Sequence, residues 1–237
     1  VGMSKLHYLE LKCVGVDFFS GGNHSVERKE TLALIEDENT PVNGPANLRQ
    51  NPGPDYKLLE TDKGAVAFVS IMGATFPKGY SRDVSNPLKK LDQILDDLSG
   101  QSVVATVVNF HGDLSREKRV AGYYLDGKVS AVVGDHWHVP SADTMVLPKG
   151  TAHVTDVGMC GTLHSSLGVQ LEVIIPRWRD GKKNVNTIDS RPPYQFNAVL
   201  IDIDEKTGLA RSIKRIQEII NNTKKKNRIT GYNHLCI

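Results

Sequence analysis

Residues 102–138 read "SVVATVVNFHGDLSREKRVAGYYLDGKVSAVVGDHWH". The first nine residues are mostly apolar and rich in β-branched Val, the composition of a buried strand. "SREKRVAGYYLDG" (115–127) then has the mixed polarity of a surface helix, and "VSAVVG" (129–134) returns to a strand. Strand, helix and strand in succession call for parallel pairing with the helix packed on the sheet. Both strands end in chemistry: the first runs into His111 and Asp113, the second into Asp135, His136 and His138.

The pattern continues on either side. "GAVAFVSIMG" (64–73) reads as another buried strand, and "NPLKKLDQILDDLSG" (86–100) as a helix. Its Leu88, Leu91, Ile94, Leu95 and Leu98 form one apolar stripe, Pro87 suits the first turn and Gly100 the end. Upstream, residues 3–13 have a loose helical pattern, "VGVDFFSGGNH" a short strand entering a Gly-rich turn, and "VERKETLALIEDE" helical spacing. Residues 41–54 are rich in Pro, Asn and Gly and read as a loop. Beyond Gly150, "TAHVTDVG", "GVQLEVIIPRW" and "FNAVLIDID" read as strands without long helices between them, and "DEKTG" (204–208) as a turn before "LARSIKRIQEII". This half is expected to form a more antiparallel layer. The expected fold class is therefore α/β, with a mixed sheet bearing the site at its strand ends.

At 237 residues the chain suits one large domain, taken as 1–220, followed by a basic tail, 221–237, that contains "KKKNR" at 224–228. A short terminal charge run is most simply a solvated tail, although it could contact RNA phosphates. A net charge of +2 is too small to imply a nucleic-acid partner for the whole chain. No apolar run nears the ~18 residues of a membrane span, and the first residues lack a signal-peptide pattern. Cys13, Cys160 and Cys236 are widely separated and share no metal-type spacing, which argues against a disulfide framework and fits a reducing cytoplasm.

Three apolar runs end in polar clusters: Asn23–His24, His111–Asp113 and Asp135–His138. In α/β proteins such ends converge at one sheet edge, where substrates bind. His136 and His138 would share a face on an ideal strand, or splay toward two metals in a tight loop. Neutral imidazoles suit zinc, iron or manganese, and an Asn carbonyl oxygen favours the harder manganese or ferrous iron over a thiol-rich zinc site. Single histidines such as His7, His153, His164 and His234 read as structural residues.

"GNH", the long block from "FHGD" through "DVGMCG" (110–161) and the closing "VLIDIDEKTGLARSIKRI" (199–216) resemble the YmdB-type bacterial metallophosphoesterases of the calcineurin-like superfamily. The similarity runs from about Lys5 to Ile216. It implies a two-sheet β-sandwich flanked by helices in α-β-β-α layers. It also implies two iron or manganese ions, with a bridging hydroxide that attacks phosphorus. Asn23, His111, His136 and His138 would be metal ligands, and His24 the general acid that protonates the leaving oxygen. The implied activity is phosphodiester hydrolysis of small cyclic nucleotides such as 2',3'-cAMP.

The family pattern also begins with a strand carrying an Asp ligand and a second strand ending in Glu-Asn, neither of which lies upstream of Asn23. A first βαβ segment of ~40 residues is therefore expected to be lacking from this sequence. If the natural chain begins at Val1, hydrolase activity is expected to be poor. Gly112–Asp113 stands where the family has Ala-Glu, and Asp135 and Trp137 stand where small polar residues are usual. Trp137 would either stack on a nucleobase or pack against the loop. Asp156 would either accept a hydrogen bond from a ligand histidine or cap the turn at Gly158.

Two further readings stand beside the enzyme: a regulatory protein of the same fold that binds a nucleotide, RNA or protein with little turnover, and a mononuclear metal site acting on another ester or amide. Apolar surface in the second half is compatible with a homo-oligomer.

Overall fold

A computed structural model describes residues 2–75 and 83–221. Residues 222–237, nearly all of the expected basic tail and including Cys236, lie outside the described residues. Among the described residues, no helix is long and apolar enough to cross a membrane.

The chain opens with α1 (Lys5–Cys13), β1 (Phe19–Ser20), α2 (Lys29–Glu36) and β2 (Val42–Asn43), and β1 pairs with β2 in parallel. It continues through β3 (Tyr56–Thr61), β4 (Gly64–Met72), α3 (Pro87–Leu98), β5 (Val103–His111), α4 (Ser115–Tyr124), β6 (Ala131–Asp135), β7 (Met145–Val146) and β8 (Ala152–Val154). These strands form one mixed sheet in the order β3-β4-β5-β6-β8-β7. The inner pairs β4–β5, β5–β6 and β6–β8 are parallel, the middle one as the 102–138 stretch requires. Last come β9 (Gly161–Thr162), α5 (Leu171–Asp180), β10 (Tyr194–Ile203) and β11 (Ala210–Ile220), whose strands make an antiparallel sheet in the order β11-β10-β9.

Tyr8, Leu34, Ile35 and Val42 pack the N-terminal elements together, and two further apolar layers flank the mixed sheet. On one face of the mixed sheet, Val69, Ile71, Val108, Phe110 and Val132 pack against Leu91, Ile94 and Leu98 of α3 and Ala121 and Leu125 at α4. Each such Leu or Ile contributes about 1.5–3 kcal/mol relative to exposure. α3 starts where the sequence places it, because the Asn86 side chain accepts from the Leu88 and Lys89 amides and Pro87 needs no amide partner. On the opposite face, the alternate residues Val107 and Val133 meet Ile201 and Ile213 of the antiparallel sheet around Ala131, Ala152 and Ala210. Small residues at the centre let the two sheets approach closely. The result is the expected two-sheet α/β arrangement.

Two local expectations change, the first within the expected 41–54 loop, where Val42–Asn43 pairs with β1 as β2. "GVQLEVIIPRW" is helical as α5 rather than extended: Leu171, Ile175 and Trp178 recur at helical spacing, and Gly181 closes the helix in the left-handed region at φ 67°. β3 was hidden because it is an edge strand of mixed polarity. Its buried Lys57 donates from Nζ to the carbonyls of Asp37 at 2.7 Å and Thr40 at 3.0 Å, and an inward lysine also blunts an open edge.

The segment between β6 and β8 is anchored by Asp143, whose carboxylate accepts from Thr155 N (3.0 Å), Thr155 Oγ1 (2.6 Å), Ser141 Oγ (2.7 Å) and Arg119 (3.1 Å). Burial raises its pKa, but the bonds from Thr155 and Ser141 outweigh that and, with His153 nearby, hold it well below the carboxylate range. A carboxyl with a depressed folded pKa stabilises the protein above its unfolded value of about 3.9, and that contribution is lost as pH falls toward the folded value. Asp143→Asn should therefore lower stability at pH 6 and flatten its decline below about pH 4. Urea midpoints measured from pH 3 to 7 test this: equal pH slopes in both proteins would refute the anchoring role.

Candidate active site

β4, β5 and β6 run parallel, with Met72 beside His111 and His111 beside Asp135 in register. Their carboxyl ends thus deliver His111, Asp135 and His136 to one edge. The turn after β1 arrives there by polar ties to β2 and β4: Gly21 N donates to Asn43 O at 3.0 Å, Ser70 Oγ to Gly21 O at 2.6 Å and Asn43 Nδ2 to Phe68 O at 3.1 Å. This fixes Asn23, which is buried. Gly22 allows the approach, since a Cβ there would lie 2.5 Å from the His111 ring.

Three donor atoms meet at the edge. His111 Nε2 lies 3.0 Å from Asn23 Oδ1 and 3.2 Å from His136 Nδ1. On its other side, His111 Nδ1 is 2.9 Å from Asp135 Oδ1. That carboxylate favours the proton on Nδ1 and directs the Nε2 lone pair inward. Burial would raise the Asp135 pKa, but its bond to His111 more than offsets this and keeps it ionised. The pKa of His136 is lowered, chiefly by burial and then by His111, so at neutral pH it is an uncharged imidazole. Its Nε2 is 3.6 Å from Asp113 Oδ1.

The expected ligands therefore divide. Asn23, His111 and His136 come together. His138 is exposed at the surface and is tied in through its backbone, its carbonyl accepting from Met159 N at 3.1 Å. His24 is also exposed and holds its Nδ1 2.9 Å from Glu27 Oε2. Among the described residues, no group of three or more His, Cys, Asp and Glu is gathered as a metal cluster. The convergent set is two imidazoles and an amide oxygen, which is the right chemistry for iron or manganese.

Residue spacing did not single out the partners that orient this set. Asp135 and Asp113 stood inside the quoted clusters, but only the sheet register reveals that Asp135 faces His111. Asp156 caps the turn, accepting from Gly158 N at 2.9 Å, and its other oxygen accepts from Trp137 N at 2.8 Å rather than from a histidine. The Trp137 indole donates to Asp113 O at 2.7 Å and packs under the Lys118 ammonium, 4.1 Å from the ring centroid.

An α/β two-sheet sandwich with histidines gathered at the carboxyl edge of its mixed sheet is the calcineurin-like phosphoesterase fold. A solved structure of a novel phosphatase from Mycoplasma pneumoniae superposes with a TM-score of 0.82 at 29% identity, covering 95% of this chain and 81% of that one. A hypothetical protein from Thermus thermophilus superposes with a TM-score of 0.81 at 32% identity, covering 92% and 82%. The YmdB-like protein family matches residues 1–216, and this chain belongs to it. Among its curated relatives, a 2',3'-cyclic-nucleotide 2'-phosphodiesterase of Bacillus subtilis (strain 168) is 33% identical over 216 residues, 91% of this chain and 79% of that protein. A putative phosphatase/phosphodiesterase of Mycoplasma genitalium is 28% identical over 233 residues, 94% and 79% of the two chains.

Proposed function

We propose that the chain is a metal-dependent phosphoric ester hydrolase acting as a phosphodiesterase on small 2',3'-cyclic nucleotides in the cytoplasm. The observation that carries this reading is the meeting of His111 Nε2, Asn23 Oδ1 and His136 Nδ1 at the sheet edge, in a chain 33% identical to a 2',3'-cyclic-nucleotide 2'-phosphodiesterase. Asn23, His111 and His136 would hold iron or manganese, with His138, two residues beyond His136, as a further ligand for a second ion. Bound metal supplies positive charge for the phosphoryl oxygens and lowers the pKa of a water toward neutrality.

The chain's own groups supply the rest. Asp135 keeps His111 in one tautomer, and the buried Asn23 fixes the position of its neighbour His24. The Glu27 carboxylate holds the His24 ring, so that its proton can go to the departing ribose oxygen.

A proton donor matters most when the leaving group is a poor one. His24→Ala should lower turnover of 2',3'-cyclic AMP by about 10²–10⁴-fold. It should slow bis(p-nitrophenyl) phosphate far less, because p-nitrophenolate leaves without protonation, and metal content should stay unchanged. Equal losses on both substrates, or none on the cyclic nucleotide, would remove His24 from the acid role.

A further inference from the structure

His136 and His138 both sit in the left-handed region, at φ 109° and 66°. A residue bearing a Cβ adopts such angles only where its surroundings impose them. The residue between them is Trp137, and its amide is bonded to a carboxylate from another part of the chain. Asp156 Oδ2 accepts from Trp137 N at 2.8 Å and from Lys118 Nζ at 2.9 Å, while Oδ1 accepts from Gly158 N at 2.9 Å. The side chains of Lys118 and Asp156 are 0% and 1% exposed. The same Lys118 ammonium lies over the Trp137 ring. On either side, Val157 N bonds Gly134 O at 2.9 Å and Met159 N bonds His138 O at 3.1 Å, so residues 134–138 are stitched to 156–159.

We infer that Lys118 and Asp156 are positioning residues for the proposed hydrolytic site: the buried carboxylate clamps the Trp137 amide and thereby imposes the left-handed conformations that present His136 and His138. Lys118 neutralises the clamp and closes the far face of the indole. This role rests on the phosphodiesterase reading for its catalytic consequence, but not for its structural one.

A pair of neutral double variants separates the clamp from the ion pair. Lys118→Met with Asp156→Leu removes both charges and the acceptor; replacing a buried ion pair by apolar groups is often neutral for folding. Lys118→Met with Asp156→Asn removes the charges but leaves an amide oxygen for Trp137 N. The Leu pair should fold, exchange the Trp137 amide about 100-fold faster with deuterium, and bind manganese about 10–100-fold more weakly. Its kcat should fall by a similar factor with KM nearly unchanged. The Asn pair should restore most of each quantity.

A folded Leu pair with native exchange and native manganese affinity would overturn the inference. So would fast exchange of the Trp137 amide in the unaltered protein, a reading that needs no variant to fold. If the unaltered protein turns over no phosphodiester, the functional reading fails, while exchange at Trp137 still decides the clamp.

Discussion

His111→Ala is expected to reduce phosphodiester turnover by about three decades, equivalent to ~4 kcal/mol of barrier. His111 is the hub of the edge: one ring nitrogen faces both Asn23 and His136, and the other is held by Asp135. Truncation removes the ring on which these groups converge and also strands the buried Asn23 and the half-buried Asp135. Asp135 loses the bond that lowers its pKa, and Asn23 loses its contact at Nε2. Restoring charge elsewhere cannot rebuild that convergence. Steady-state kinetics and elemental analysis on the same preparation test it: a variant that keeps its metal and turns over within tenfold of the native rate would show that the reaction occurs elsewhere.

Gly134→Ala is expected to be the most damaging single methyl in the mixed sheet. A Cβ at Gly134 would lie 1.9 Å from the Thr155 carbonyl oxygen, 2.7 Å from its carbon and 3.1 Å from Val154 O. All three are backbone atoms that no rotamer change can move aside. β6 and the end of β8 would have to separate, breaking the Val157 N to Gly134 O bond. The overpacking should cost about 3 kcal/mol or more, a fall of ~6–12 °C in Tm for a chain of this size. Because Asp135 and His136 follow directly, turnover should fall with it. Calorimetry decides: a Tm within ~2 °C of native would contradict the close approach.

How far the sequence could be read follows from where each signal resides. α3 was legible because its cap, its Pro and its apolar stripe agree, and β4 to β6 because buried parallel strands are continuous runs of Val, Ile and Ala. β3 was not, since an edge strand carrying Lys57 and Glu60 has no such run. α5 was misread because Val173, Ile174 and Ile175 suggest a strand, although the longer spacing from Leu171 to Trp178 is helical. At the candidate site, strand-end histidines pointed to the edge where His111 and His136 meet, and register then brought His111 next to Asp135. The left-handed angles of His136 and His138, and the buried Lys118–Asp156 pair behind them, depend on contacts between distant segments. A lysine in a polar helix such as "SREKRVAGYY" carries no local mark of burial.

Metal content by elemental analysis, together with turnover of 2',3'-cyclic AMP before and after chelation and with manganese restored, decides whether the chain is a metal-dependent phosphodiesterase. About two iron or manganese ions per chain are expected, with turnover that falls on their removal and returns with manganese. Protein that retains no metal and cleaves no cyclic nucleotide with manganese present would contradict the proposed function.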